Sequence, residues 1–209
     1  MQKIDEIGSV YKIFIDPILN SLRKKAVRLV DKDSKVIDIA CGTGAFALEM
    51  STKAQHILGI DLSESQIRTA VKSQNKLKID NVNFELRDAT DLSMYKDEEF
   101  DLATISLALH QFPMSIAKSV FSEMIRISKE LIIVDYAFPM PSRFLKTGIY
   151  LIERMAGKDH FNGFRSYMEK GGTKAFIEDE KLEITDEISG GKDIFTIIKC
   201  RKNGKVPGK

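Results

Sequence analysis

The sequence has little cysteine and no long apolar run, and each shortage excludes a class of protein. Its two cysteines, Cys41 and Cys200, form no CxxC pair, so we expect neither a disulfide framework nor a cysteine zinc site. The longest stretch without Asp, Glu, Lys or Arg, Leu102 to Ala117, has 16 residues, fewer than the roughly 20 apolar residues of a membrane-spanning helix. The first residues carry charges where an export signal would be apolar. These features predict a cytoplasmic protein with no integral membrane segment.

An excess of charge of one sign is also missing. The chain has 32 Lys and Arg against 30 Asp and Glu, and five of the basic residues lie in the last eleven positions, which contain no acid. The rest of the chain is therefore slightly acidic and lacks the basic stripe that nucleic-acid binding requires. We expect a small-molecule partner and no nucleic acid. The oligomeric state is not predicted.

The 209 residues suit one domain, and the order of apolar segments indicates its fold class. Short apolar runs alternate with segments of helical period, which predicts parallel strands covered by helices on both faces. Gly190 and Gly191 join two further strand-like runs as a hairpin. The predicted class is α/β, a three-layer, Rossmann-like, doubly wound sheet that is mostly parallel. The runs are residues 36–40, 57–60, 82–86, 102–105, 131–134, 182–189 and 194–200.

A glycine-rich turn follows the first predicted strand. Gly42 and Gly44 stand between the strand and a helical stretch, where glycine permits positive φ and a close approach to a ligand. Asp61 ends the second strand, 19 residues after Gly42, where a carboxylate can accept hydrogen bonds from ribose hydroxyls. The two elements together indicate an adenosine-type cofactor.

The turn alone leaves two cofactor classes open. Residues 42–47 also fit the relaxed dinucleotide pattern G-x-G-x-x-[GA], which an NAD-type oxidoreductase would use. Asp38, on the strand before the turn, would repel a pyrophosphate and suits a cationic amino group instead. Asp88 follows the third strand, where it can accept a hydrogen bond from an adenine amine.

From about Lys35 to Tyr136 the chain resembles the class I S-adenosylmethionine-dependent methyltransferases, through VIDIACGTG, GIDLS, RDATDL, FDLATISLALHQF and LIIVDYAFP. The resemblance implies seven strands, the last antiparallel. Ala40 stands where the family usually has the first glycine of D-x-G-x-G-x-G. The residues that the resemblance assigns to S-adenosyl-L-methionine are Asp38, Ala40, Gly42, Gly44, Asp61, Leu62, Asp88, Ala89 and Ser106.

Methyl transfer from a sulfonium is an in-line displacement in which the protein supplies alignment, desolvation and sometimes a base. His110, just after the fourth strand, is the candidate catalytic base, because its ordinary pKa suits proton removal near neutrality. The fifth strand ends in Asp135-Tyr136 and not in Asp-Asn, so the metal site of catechol-type O-methyltransferases is missing. No metal is expected.

Residues 138–167 are rich in aromatic side chains, which can wall a pocket for a hydrophobic acceptor. Phe138, His160 and Tyr167 are the predicted pocket residues there, and Tyr11 and Phe14 could close over the cofactor from the N-terminal segment. VDYAFP and the segment DHFNGF look most like the small branch related to quinone-biosynthesis and phospholipid methyltransferases. The expected acceptor is small and hydrophobic or lipid-like.

These predictions divide one methyltransferase domain, residues 1–209, into five parts. They are an N-terminal helical lid (1–34), the cofactor-binding core (35–137), a helical substrate insertion (138–180), a C-terminal hairpin (181–200) and a basic tail (201–209). Two alternatives remain at this stage: an NAD-type dinucleotide-binding oxidoreductase, and a non-catalytic scaffold with a methyltransferase fold.

Overall fold

The structure, a computed structural model, describes residues 18–204 of the chain. Tyr11 and Phe14, which the sequence predicts to close over the cofactor, lie outside the described residues. Within residues 18–204, no helix is both long enough and apolar enough to cross a membrane.

One seven-stranded sheet organises the molecule, in the order β3-β2-β1-β4-β5-β7-β6. β7 runs antiparallel to both of its neighbours, and the other paired strands are parallel. The predicted α/β class and its mostly parallel, doubly wound sheet are therefore confirmed. The strands are β1 (Lys35–Ile39), β2 (His56–Asp61), β3 (Val82–Leu86), β4 (Phe100–Ser106), β5 (Ser128–Tyr136), β6 (Leu182–Gly190) and β7 (Phe195–Lys202).

Helices lie between the strands, and local sequence sets several of their ends. The Ser63 hydroxyl accepts a hydrogen bond from the Gln66 N–H, which caps the helix that begins at Glu64. Pro113 occupies the N-cap position of the helix after β4, without a side-chain hydrogen bond to the helix. The helices are α1 (residues 18–28), α2 (Ala45–Met50), α3 (Glu64–Leu77), α4 (Met114–Ile127), α5 (Arg143–Met155), α6 (Lys158–Lys170) and α7 (Gly172–Asp179), with a 3₁₀ turn at Leu109–Gln111.

The three central strands, β1, β4 and β5, are almost entirely buried. Their aliphatic side chains face helices on both sides of the sheet, which explains why these strands are continuous apolar runs and not alternating ones. Asp38 and Thr104 are polar exceptions on β1 and β4, and both are fully buried. A polar pair in such a core marks the functional part of the sheet.

The C-terminal hairpin is longer than the sequence indicates. β7 continues to Lys202, so the first two residues of the predicted basic tail belong to the sheet. Arg201 forms an ion pair with Glu183 at 2.9 Å, and Lys202 with Glu98 at 3.3 Å. Acidic partners on neighbouring segments hold these two basic residues in place.

The segment predicted as a helical insertion contains α5, α6 and α7. Gly163 of α6 lies against the turn after β4: a Cβ atom there would come within 2.5 Å of the Gln111 carbonyl oxygen and 2.9 Å of the Phe112 oxygen. Only glycine permits this close approach of helix and turn.

We predict that Gly163→Ala lowers the free energy of unfolding by about 1–3 kcal/mol, because the added methyl group overpacks α6 against the turn. Gly148→Ala in α5 is the matched control, since a Cβ atom there would have no tertiary contact within 4 Å; it should raise stability by up to about 1 kcal/mol through helix propensity. Urea unfolding of both variants checks this. Equal effects of the two substitutions would contradict the packing argument.

Candidate functional site

A large cavity lies where the order of the strands reverses. β2 and β3 lie on one side of β1, and β4 lies on its other side. Open α/β sheets bind ligands at the carboxyl ends of their strands at this switch point. A cavity of about 810 Å³ opens there, within the range of small-molecule and cofactor sites.

Most of the residues predicted to bind the cofactor line this one cavity. They are Asp38, Ala40, Gly42, Asp61, Leu62, Asp88, Ala89 and Ser106. Gly44 is not in the wall: a Cβ atom there would come within 2.5 Å of the Phe84 ring and 2.9 Å of Ala70. Gly44 therefore permits the packing of the turn against β3 and α3. The ligand-contact role predicted for it is not supported by this placement.

The turn after β1 uses left-handed backbone at two positions in the cavity wall. Gly42 has φ +55°, and a Cβ atom there would meet nothing within 4 Å beyond its chain neighbours, so the backbone faces open space. Ala40 has φ +52°; the family that the chain resembles usually has glycine at this position. The left-handed conformation of an L-residue costs roughly 1–2 kcal/mol. Ala40 thus adopts, at this cost, a conformation that glycine adopts freely.

Asp61 holds the turn in position. Its Oδ2 accepts a hydrogen bond from the Gly42 N–H at 2.8 Å, and its Oδ1 accepts one from the Ser63 N–H at 2.8 Å. A carboxylate has about four acceptor positions, so both oxygens can accept further bonds from a ligand. Asp61 thus joins the turns after β1 and β2 and presents its remaining lone pairs at the cavity.

Asp38 is a buried carboxylate in the wall of the cavity. Its Oδ1 accepts a hydrogen bond from the Thr104 hydroxyl at 2.6 Å, whereas Oδ2 has no hydrogen-bond partner within the described residues. Burial raises the pKa of Asp38 to about 7; the charge of Asp61 adds to the rise, and the Thr104 hydroxyl and Ala47 N–H oppose it. A buried acceptor without a partner is costly. This atom is suited to a cationic ligand group.

Asp88 and Ser106 are further polar residues of the wall, which also contains the cationic Arg23 and Arg87. The Asp88 Oδ1 accepts hydrogen bonds from the N–H and hydroxyl of Thr90, both at 2.8 Å, and Ser106 is the last residue of β4. Sequence reasoning missed the apolar part. Its residues, which come from α1, α2, the turn after β4 and α4, are Leu19, Phe46, Phe112, Ile116 and Val120.

His110, the predicted base, is not in the wall of the cavity, although Ala108 and Gln111 are. Its Nδ1 lies 2.5 Å from Asp135 Oδ1, and its Nε2 lies 3.9 Å from Glu153 Oε2. Burial lowers the pKa of His110, but the charges of the two carboxylates outweigh this and raise it overall. Its role as a general base stays a prediction, which this buried and paired position does not support.

The three predicted acceptor residues that the structure describes lie away from the cavity wall. Phe138 lines a separate cavity of about 180 Å³ beside β6 and β7. Tyr167 is fully buried, with its hydroxyl 2.7 Å from the Thr173 hydroxyl, and His160 pairs with Glu153. The aromatic composition of the segment reflects packing of α6 and α7 onto the sheet, so this placement does not support the predicted pocket. Amino-acid composition alone does not distinguish aromatic residues that line a pocket from aromatic residues that fill the core.

Comparison with known proteins gives the chain a family. Residues 30–161, more than half of the chain, match the sequence model of a family described as a methyltransferase domain. A demethylmenaquinone methyltransferase of Leptospira interrogans is 31% identical over 97 residues, which cover 45% of this chain and 38% of that protein. The chain thus matches less than half the length of this curated relative.

Solved structures share the fold at low sequence identity. The PH0226 protein of Pyrococcus horikoshii OT3 has a TM-score of 0.68 and 19% identity, with 93% of this chain and 99% of that chain covered. The N-methyltransferase NodS of Bradyrhizobium japonicum WM9, solved with S-adenosyl-L-homocysteine, has a TM-score of 0.66 and 14% identity, with 90% and 89% covered.

We predict that the ligand-free protein loses stability as the pH rises from 4 to 7 and that Asp38→Asn removes this loss. The unfolded chain releases the Asp38 proton near pH 3.8, whereas the folded protein keeps it to about pH 7. The free energy of unfolding therefore falls by at most about 4 kcal/mol as the pH rises through this window. Urea unfolding across the window measures the slope. Asp80→Asn, an exposed control, should keep the wild-type slope; the same slope in Asp38→Asn would contradict the prediction.

Proposed function

The chain belongs to the methyltransferase domain family, and on this premise we propose that it transfers a methyl group from S-adenosyl-L-methionine to a small apolar acceptor. The observation that carries the proposal is the unpartnered Oδ2 of buried Asp38, which lies at the switch point of the sheet. S-adenosyl-L-methionine supplies an activated methyl group and a cationic amino group. Asp38 is the residue that would hold the amino group.

The other cavity carboxylates fit the remaining polar parts of this cofactor. Asp61 is fixed by two backbone N–H groups and has lone pairs left for ribose hydroxyls. Asp88 lies at the carboxyl end of β3, where its carboxylate can accept a hydrogen bond from an adenine amine. The open backbone at Gly42 leaves room for the cofactor to pass close to the turn.

The carboxylates beside the glycine turn disfavour a dinucleotide there, although Arg23 and Arg87 line other parts of the cavity. Asp38 and Asp61 both line the wall beside the glycine turn, where a nicotinamide dinucleotide would place its pyrophosphate. A carboxylate and a pyrophosphate brought together in a low-dielectric site repel each other. The same carboxylates attract a sulfonium cofactor that carries an ammonium group.

The apolar wall supports an apolar acceptor. Phe112, Ile116 and Val120 lie on the side of the cavity formed by the turn after β4 and by α4. The demethylmenaquinone methyltransferase named above acts on a quinone according to its name, and this agrees with such a wall. For this reaction the protein contributes alignment and exclusion of water.

We predict that the protein binds S-adenosylhomocysteine and that Asp38→Asn and Asp61→Ala each weaken binding by about 10- to 100-fold. Each substitution removes a charged acceptor, and hydrogen bonds to charged groups contribute about 1.5–3 kcal/mol. Isothermal titration calorimetry at pH 8 measures the affinities. Asp80→Asn lies before the amino end of β3, away from the carboxyl ends that form the cavity, and should bind like the wild type. No binding by the wild type, or equal binding by all variants, would contradict the proposal.

We further predict that the enzyme, incubated with methyl-labelled S-adenosylmethionine and metabolite extracts, transfers label to molecules that partition into organic solvent. The apolar wall is the reason for this expectation, and mass spectrometry identifies the product. Asp38→Asn, which lacks the proposed ammonium contact, should transfer less label, and a reaction without enzyme defines the background. Transfer only to polar metabolites or nucleic acid would refute the apolar acceptor, and no transfer to any fraction would favour a non-catalytic scaffold.

A further inference from the structure

Three side chains with metal-binding chemistry meet behind the wall of the cavity. His110 lies on the 3₁₀ turn after β4, Glu153 on α5 and His160 on α6. One donor atom from each lies within 4.8 Å of the other two. His110 and Glu153 are buried, with exposed fractions of 3% and 4%. Exposed clusters of polar residues are common on protein surfaces, whereas a buried cluster requires a partner for each of its atoms.

The His110 ring is oriented as a metal ligand would be. Asp135 Oδ1 lies 2.5 Å from its Nδ1, and Asp135 Oδ2 accepts a hydrogen bond from the His110 backbone N–H at 3.2 Å. When Nδ1–H donates to the carboxylate, the lone pair of the ring is on Nε2, which faces Glu153. A carboxylate behind the imidazole is the usual arrangement around histidine ligands, because it fixes the tautomer and makes the ligand more basic.

Glu153 is held in the same way. The Tyr136 hydroxyl donates a hydrogen bond to Glu153 Oε1 at 2.6 Å. The other oxygen, Oε2, faces the two histidines. Oε2 lies 2.5 Å from His160 Nε2 and 3.9 Å from His110 Nε2. Each of the two buried donors therefore has a second polar group that positions it.

We propose that His110 Nε2, Glu153 Oε2 and His160 Nε2 bind a divalent transition-metal ion, with Zn²⁺ as the first candidate. Two imidazoles and one carboxylate with an open fourth position form a ligand set that Zn²⁺ accepts. Bonds of about 2.1 Å in a tetrahedral site place donor atoms roughly 3.4 Å apart, a value between the two distances from Glu153 Oε2. Small side-chain movements then suffice to admit the ion.

The charge of the cluster also favours a cation. Asp135 and Glu153 are both buried carboxylates, and among the side chains that the structure describes their ion pairs are with histidines. Buried charges are stable when they are paired or when they coordinate a metal ion. A dication at the three donor atoms would balance both carboxylates without protonation of either histidine.

The ion would join the insertion to the cofactor-binding core. His110 is in the turn after β4, and its neighbours Gln111 and Phe112 line the large cavity, whereas the other two ligands come from α5 and α6. A bound ion would therefore fix one wall of the cavity against two helices. The sequence analysis expects no metal because it considers only local motifs, whereas these ligands are 43 and 7 residues apart in the chain, a spacing that matches no familiar motif.

Titration of the metal-stripped, untagged protein with Co²⁺ tests the site directly, since Co²⁺ reports its coordination through visible absorption and Zn²⁺ can then displace it. We expect one equivalent of Co²⁺ to bind with a low-coordinate spectrum. His160→Gln and Glu153→Gln should weaken binding on the order of 100-fold, and Asp135→Asn, which acts through His110, by about 10- to 100-fold. The exposed His56→Gln is the matched control and should bind like the wild type.

The outcomes separate this proposal from the proposed function. Binding of S-adenosylhomocysteine is measured on the same samples, so a protein that binds it without binding Co²⁺ loses only the metal site. The absence of Co²⁺ binding in the wild type overturns the proposal, as does equal binding by wild type and His160→Gln. His160 is only half-buried, and circular dichroism of this variant verifies its fold if the variants of the buried residues do not fold.

Discussion

The burial of the Asp38 carboxylate is the constraint on which the functional part of this structure depends. β1 lies between β2 and β4 at the centre of the sheet, so the residue is removed from water on all sides except at the cavity. The Thr104 hydroxyl satisfies one oxygen, and the other has no partner within the described residues. A core that evolved for stability alone would have an aliphatic residue here. The cost is consistent with a site whose missing partner is a ligand.

The surroundings of Asp38 keep this arrangement in place through backbone contacts. Asp61 ties the turn after β1 to the turn after β2 by accepting two backbone hydrogen bonds. Gly44 allows the same turn to pack against the Phe84 ring. On the opposite side, the 3₁₀ turn after β4 is pressed against Gly163 of α6 and held by the cluster around His110. The cavity is thus formed by turns that are each fixed from behind.

The sequence predicts the sheet and identifies the carboxylates that line the cavity, because both depend on residues close together in the chain. Strand cores, the cap at Ser63 and the carboxylates at strand ends are local signals, and parallel strands bring their carboxyl ends to one edge. The apolar wall and the cluster around His110 depend on how α4, α5 and α6 pack. Tyr167 illustrates the limit: an aromatic residue has the same local pattern whether it lines a pocket or fills the core.

The crystal structure of the protein with S-adenosylhomocysteine would test the central claim most directly. We expect the ligand to occupy the cavity at the switch point, with its amino nitrogen within hydrogen-bonding distance of Asp38 Oδ2 and its ribose hydroxyls at Asp61. A ligand bound elsewhere, or one that leaves Asp38 Oδ2 without a partner, would contradict the account.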